Sequence, residues 1–136
     1  MTDREQLELA AKAAGWKWWR SKHGYWELTD PNGVGQKPCC LNWLAFDPYS
    51  GVKLTEPTLY DALIEVGFDP ENDSGQAFDL VVKLGLSLSV VNGMSGWTNV
   101  DTPDFARVQQ PHRHDPLAAT RRAITCAAAE IGRSMT

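Results

Sequence analysis

Besides a short stretch that ends at Gly67, three longer stretches of this chain place apolar residues at the helical spacing of i, i+3, i+4 and i+7, and each of them ends at a glycine. Glycine readily adopts the left-handed backbone conformation that closes a helix, so the pattern predicts three helices with defined ends. Thr2 and Glu5 form a capping box at the first start, and Asp115 followed by Pro116 is a favoured helix start at the last. The three predicted helices are residues 3–14 before Gly15, residues 74–84 before Gly85, and residues 116–131 before Gly132.

The segments between these helices have the composition of β-hairpins. Aromatic and β-branched residues favour strands, and turn signals with Pro-Asn-Gly or Asn-Gly connect antiparallel strands. The predicted elements are strands at 16–20, 25–29, 86–90 and 97–100, a possible strand at 41–46, a short helix closed by Gly67, and a loop at 101–110.

Hairpins between helices predict an α+β fold with an antiparallel sheet. We expect a single domain spanning residues 1–136, in which a sheet built from two hairpins packs between helical layers as an α/β/α sandwich. A strand and a helix are predicted to be inserted at residues 41–67.

The charge of the chain excludes several classes of protein. Its formal net charge of −4 argues against a general nucleic-acid-binding protein, which needs a basic surface. No apolar run approaches the roughly 18–20 residues needed to cross a bilayer, and the charged N-terminal segment does not resemble a secretory signal. We therefore expect a cytoplasmic protein that does not bind membranes.

The sequence contains no pattern typical of a metal site or of catalysis. Cys39, Cys40 and Cys126 lack the paired spacing of a zinc site, and an odd number of cysteines is not a disulfide framework. His112 and His114 alternate around an arginine without a third ligand at a recognised spacing, so we expect a solvated loop there. The prediction is a protein without catalytic residues, metal or cofactor.

The basic C-terminal segment holds the candidate binding residues. Its basic residues are all arginines, which bind phosphate or carboxylate bidentately. Arg121 falls on the apolar face of the last helix, where it either forms an internal ion pair or contacts a ligand. Six tryptophans are many for a chain of this length: some of them belong to the core, where they supply large apolar area, and a surplus one can instead stack on a planar ligand or anchor a partner. The predicted ligand-binding residues are Trp18, Trp97, Arg107, Arg121 and Arg122.

Three blocks of the sequence resemble a known family of small phage proteins. They are Glu8 to Trp16, Ala77 to Leu86, and Asp115 to Ile124 with its continuation from Ala128 to Arg133. These blocks, which cover about a third of the chain in the expected order, are similar to the phage ABA sandwich domain family. The resemblance implies a sheet between two helical layers and a phage or prophage origin, and it carries no catalytic residues over to this chain.

Three hypotheses for function follow. The first is a non-enzymatic phage accessory protein that counters host defence by sequestering a small anionic, nucleotide-like ligand, and this hypothesis includes assembly into a homo-oligomer. The second is an inhibitor that binds a host protein through the acidic middle of the chain, where residues 25–104 carry three basic and twelve acidic residues. The third is a metal-dependent hydrolase or nuclease that uses Asp69, Glu71 and Asp73.

Overall fold

The computed structural model describes residues 2–20, 26–36 and 58–135, which fall into two compact units. One unit comprises Met1–Ala14 and Phe68–Thr136, and the other comprises Gly15–Gly67. The described elements are α1 (Asp3–Ala14), β1 (Lys17–Arg20), β2 (Trp26–Thr29), β3 (Gly35–Gln36), α2 (Leu59–Val66), α3 (Ser74–Leu84), β4 (Ser87–Val91), β5 (Trp97–Asp101), β6 (Arg107–Pro111) and α4 (Pro116–Ser134).

The first unit contains a three-stranded antiparallel sheet in the order β4-β5-β6. Alternate residues of a strand point to opposite faces, and in β5 this alternation separates a fully buried face from a half-buried one. Thr98 and Val100 are fully buried on the face that packs against α4. On the opposite face, Asp101 of β5 forms an ion pair with Arg107 of β6, with Nε 2.7 Å from the carboxylate oxygen.

Helices α1 and α4 pack against each other with their backbones almost in contact. A Cβ atom added at Gly132 would lie 2.0 Å from the carbonyl oxygen of Leu9, so only glycine fits at this position. The contact is lined by alanines on both helices, including Ala10 and Ala14 of α1 and Ala128 of α4, all of them buried. Small side chains therefore set the short distance between the two helix axes.

Helix α3 begins and ends with the signals that the sequence contains. The Asp73 carboxylate accepts a hydrogen bond from the backbone N–H of Gln76 at 3.1 Å, which caps the first turn. Gly85 follows the helix with a left-handed backbone at φ 64°. Ala77 and Leu80 face the core, whereas Phe78 and Val82 are about two-thirds exposed.

The second unit contains the tryptophan-rich sheet β1-β2-β3. Trp18 and Trp26 lie diagonally across the hairpin and stack with ring centroids 5.1 Å apart. Asp30 orders the turn between β2 and β3, because its Oδ1 accepts hydrogen bonds from the backbone N–H groups of Asn32 and Val34.

The α+β class with antiparallel sheets is confirmed. The described strands form two sheets, one in each unit, where the sequence predicted a single sheet. The single domain with an insertion at 41–67 stays a prediction, and the possible strand at 41–46 lies outside the described residues. Within the described part of the chain, no helix is long and apolar enough to cross a membrane.

Two local predictions were wrong. The predicted loop at 101–110 contains β6, which pairs with β5 over five residues although its own sequence has little apolar alternation. Gly132 does not end α4, which continues to Ser134. Glycine is needed at this position because a Cβ atom would collide with the carbonyl oxygen of Leu9 in α1. The reason for the glycine therefore lies in another helix and not in the end of α4.

The substitution Gly132→Ala tests the contact between α1 and α4. The added methyl group forces the helices apart, so we expect the free energy of unfolding to fall by about 1–3 kcal/mol. The control is Arg133→Ala, an exposed neighbour that is expected to change stability by no more than about 0.5 kcal/mol. Urea unfolding measures both, and equal stability of the two variants would contradict the packing described here.

Candidate anion-binding site

A cavity of about 210 Å³ lies where β6 ends and α4 begins. Its lining residues include two arginines, two histidines and one aspartate, all drawn from a single short stretch of the chain. The lining residues are Gln110, Pro111, His112, Arg113, His114, Asp115, Ala118, Ala119 and Arg122.

The start of α4 fixes the floor of this cavity. Asp115 is the N-cap, and its Oδ1 accepts a hydrogen bond from the backbone N–H of Ala118 at 3.1 Å. Pro116 occupies the first turn, where its missing N–H costs no helical hydrogen bond. The backbone N–H of Asp115 donates to the carbonyl of His112 at 3.1 Å, which closes the turn that carries Arg113 and His114.

His112 is almost completely buried and is held by a chain of hydrogen bonds between the sheet and α4. The Thr120 hydroxyl donates to the Pro116 carbonyl at 2.8 Å, so its oxygen accepts from the Thr98 hydroxyl at 2.8 Å. The Thr98 oxygen then accepts from Nε2 of His112, also at 2.8 Å. All three bonds form together only when Nε2 carries the ring proton, which leaves Nδ1 of the neutral ring as an acceptor.

The arginines of the chain divide into paired and unpaired groups, and all of them lie in the described residues. Arg4, Arg20, Arg107, Arg121 and Arg133 each interact with another group of the protein. Arg113 and Arg122 form no hydrogen bond or ion pair with any described residue, although the Arg122 charge acts on Glu71, and both are exposed and line the cavity. Two guanidinium groups are therefore available to one ligand.

The structure brings only one of the five predicted ligand-binding residues to this cavity. Arg122 lines it, whereas Arg121 points its guanidinium at the N-terminal end of α3, with Nε 2.8 Å from the Glu71 carbonyl oxygen. Arg107 is paired with Asp101 on the sheet face opposite α4. Trp97 also lies on that opposite face, and Trp18 belongs to the second unit, where it stacks on Trp26.

The carboxylates of the third hypothesis serve separate local roles. Asp69 accepts hydrogen bonds from the Asn72 side-chain amide, and Asp73 caps α3. Glu71 accepts from Gln6 of α1, whose amide nitrogen also lies 3.0 Å from Sγ of Cys126. Among the residues that the structure describes, no group of three His, Cys, Asp or Glu side chains could hold a metal ion.

Burial changes the pKa values of the two titratable groups that contact Gln6, the Glu71 carboxyl and the Cys126 thiol. It raises the pKa of Glu71, opposed by the Arg122 charge and reinforced by Asp3 and Asp69. Burial likewise raises the pKa of the Cys126 thiol, and the Glu71 charge adds to the effect. A thiol with a raised pKa is a poor nucleophile at neutral pH, which fits a packing role for Cys126.

Sequence reasoning missed Arg113, His112 and His114 as parts of one site. It recognised the motif but interpreted it as a solvated loop, because the spacing lacks a third metal ligand. The signal that could have identified the site is the position of the motif immediately before a capped helix, since a helix start places basic side chains beside exposed N–H groups.

No protein-family model matches the chain, and neither a curated protein sequence nor a solved structure matches it. The resemblance to the phage ABA sandwich domain family therefore stays a prediction.

The substitution Thr98→Val tests the buried hydrogen-bond chain. Valine has a similar shape but leaves Nε2 of His112 without an acceptor, so we expect a loss of about 1–3 kcal/mol in the free energy of unfolding. Ser89→Ala, on the exposed strand β4, is the control and is expected to be nearly neutral. Urea unfolding compares the variants, and a Thr98→Val protein as stable as the control would contradict the chain.

The substitution Glu71→Gln tests the effect of burial on this carboxyl group. A raised folded-state pKa means that the stabilising contribution of this group is present below the unfolded pKa and is lost as the pH rises through the folded pKa. The variant should therefore gain stability over the wild type as the pH rises from about 4 to about 7. Asp79→Asn, an exposed change on α3, is the control, and urea unfolding at both pH values measures the difference. A Glu71→Gln effect that does not change with pH would contradict the assignment.

Proposed function

We propose that the protein binds a small anionic ligand in the cavity at the start of α4. The observation that carries the proposal is that Arg113 and Arg122 line one cavity and that neither forms a hydrogen bond or ion pair with a described residue, while the Arg122 charge also acts on Glu71. Guanidinium groups hold phosphate and carboxylate through paired N–H donors, so two of them on one cavity favour an anion.

The surroundings of the cavity support this proposal. The positive end of the α4 dipole lies at the cavity floor, and the imidazole of His114 is exposed at its edge. The Asp115 carboxylate lowers the local positive charge without forming an ion pair to either arginine. Binding at such an exposed site weakens as the ionic strength rises, because salt screens the attraction.

The biological role that we propose is sequestration without catalysis. In this proposal the protein is a phage or prophage accessory protein that acts in the cytoplasm of a bacterial host and withholds a nucleotide-like signal from a defence system. The support for this context is the resemblance of the three sequence blocks to small phage proteins, together with the anion-binding chemistry of the cavity. Assembly into a homo-oligomer belongs to the same proposal.

The substitutions Arg113→Ala and Arg122→Ala test the binding site, with inorganic phosphate as the probe and isothermal titration calorimetry as the measurement. Each variant removes a charged donor, so we expect phosphate affinity to fall at least about tenfold while the unfolding midpoint in urea stays unchanged. The matched control is Arg107→Gln, which removes an arginine already paired with Asp101 and should leave phosphate affinity unchanged.

Two results would overturn the proposal. One is wild-type protein that binds no phosphate at low ionic strength. The other is a loss of affinity that is as large in Arg107→Gln as in Arg113→Ala, because that would assign the attraction to overall charge and not to this cavity.

A further inference from the structure

The cavity contains a hydrogen-bond acceptor beside its two arginines. Asp115 uses Oδ1 to cap α4, and its second oxygen makes no hydrogen bond or ion pair with any described residue. His112, only 4% exposed, also lines the cavity, but its Nδ1 lies against the backbone at Gly96, where an added Cβ atom would come within 2.9 Å of it, so the free acceptor at the cavity is the Asp115 oxygen. The site therefore presents donors and an acceptor within one small space.

A bare anion does not complement this arrangement. Phosphate on Arg113 and Arg122 would lie near the Asp115 carboxylate, and two neighbouring negative charges repel each other. A ligand with a hydroxyl group next to its phosphate offsets this repulsion, because the hydroxyl donates a hydrogen bond to the Asp115 carboxylate oxygen. Asp115 therefore lowers the affinity for anions without a hydroxyl group relative to ligands that carry one, and this difference is the specificity of the site.

The size of the cavity limits how much of a ligand it encloses. Its volume of about 210 Å³ lies below the roughly 300 Å³ at which pockets for complete small molecules begin. This suits a phosphate group with the adjoining hydroxyl-bearing carbons of a sugar, and a nucleobase attached to that sugar would extend into solvent.

We infer that the cavity recognises a hydroxyl-bearing phosphomonoester, with the phosphate on Arg113 and Arg122 and a sugar hydroxyl on Asp115, and that it does not read a base. This inference rests on the proposed anion-binding function and specifies its ligand. The shared chemistry is present both in free sugar phosphates and in nucleoside monophosphates.

The experiment compares four probes by isothermal titration calorimetry with the full chain: inorganic phosphate, ribose 5-phosphate, AMP and CMP. The wild type should bind ribose 5-phosphate about tenfold more tightly than phosphate, which is the value of one hydrogen bond to a charged group. AMP and CMP should match ribose 5-phosphate within about threefold, because the base lies outside the cavity. A preference for one nucleotide over the sugar phosphate would overturn base-independent recognition.

The variant Asp115→Asn separates the role of the carboxylate from that of the helix cap. Asparagine caps helices about as well as aspartate, and when its oxygen accepts from Ala118 its NH₂ group replaces the free carboxylate oxygen. We expect phosphate affinity to rise in this variant, because the repulsion by the carboxylate is gone, and the advantage of ribose 5-phosphate to disappear. The unfolding midpoint in urea serves as the check that the helix start is intact.

The outcomes test the sugar-phosphate inference separately from the proposal that the cavity binds an anion. Equal wild-type affinity for phosphate and ribose 5-phosphate, or an affinity ratio that Asp115→Asn leaves unchanged, would overturn the sugar-phosphate inference while the anion site stands. If no probe binds the wild type, or if Arg113→Ala and Arg122→Ala change nothing, the anion site itself is wrong.

Discussion

The close approach of α1 and α4 is the constraint on which the rest of the first unit depends. Gly132 admits the Leu9 carbonyl, and alanines line the remaining contact, so the two helices lie close enough for extensive van der Waals contact. With one side of α4 fixed by α1, its opposite side is free to cover the sheet. The side of α4 that faces α1 sets the orientation of the helix about its own axis. This orientation places Thr120 against the sheet and Arg122 at the cavity.

The buried hydrogen-bond chain links this helix packing to the candidate site. Thr98 belongs to the central strand, Thr120 to α4, and His112 to the connection between β6 and α4. An unpaired polar group at such depth is costly, so each member holds the others in one arrangement. The buried His112 side chain therefore fixes the backbone of the turn that carries Arg113, and the exposed side chains of this turn extend from a fixed position.

Much of the local structure was predictable, because its causes lie within a few residues. The cap of α4, the glycine that follows α3 and the turn at Asp30 are short-range interactions, and the sequence predicts them correctly. The errors concern interactions between distant residues. Strand β6 forms because β5 offers a free edge, and Gly132 lies inside a helix because Leu9 of another helix requires the space.

The candidate site likewise has features that depend on neighbouring residues and features that depend on distant ones. Sequence reasoning correctly noticed a basic segment composed of arginines, but which of them are available depends on partners far away in the chain. Arg121 is engaged by a carbonyl fifty positions earlier, and Arg107 by a carboxylate on the neighbouring strand. The two arginines left over both flank the start of α4, and the whole lining of the cavity comes from residues 110–122. Donors and acceptors that all come from one short stretch keep their relative positions as long as that helix start is intact, so the selectivity of the cavity depends on the cap and on the buried histidine behind it.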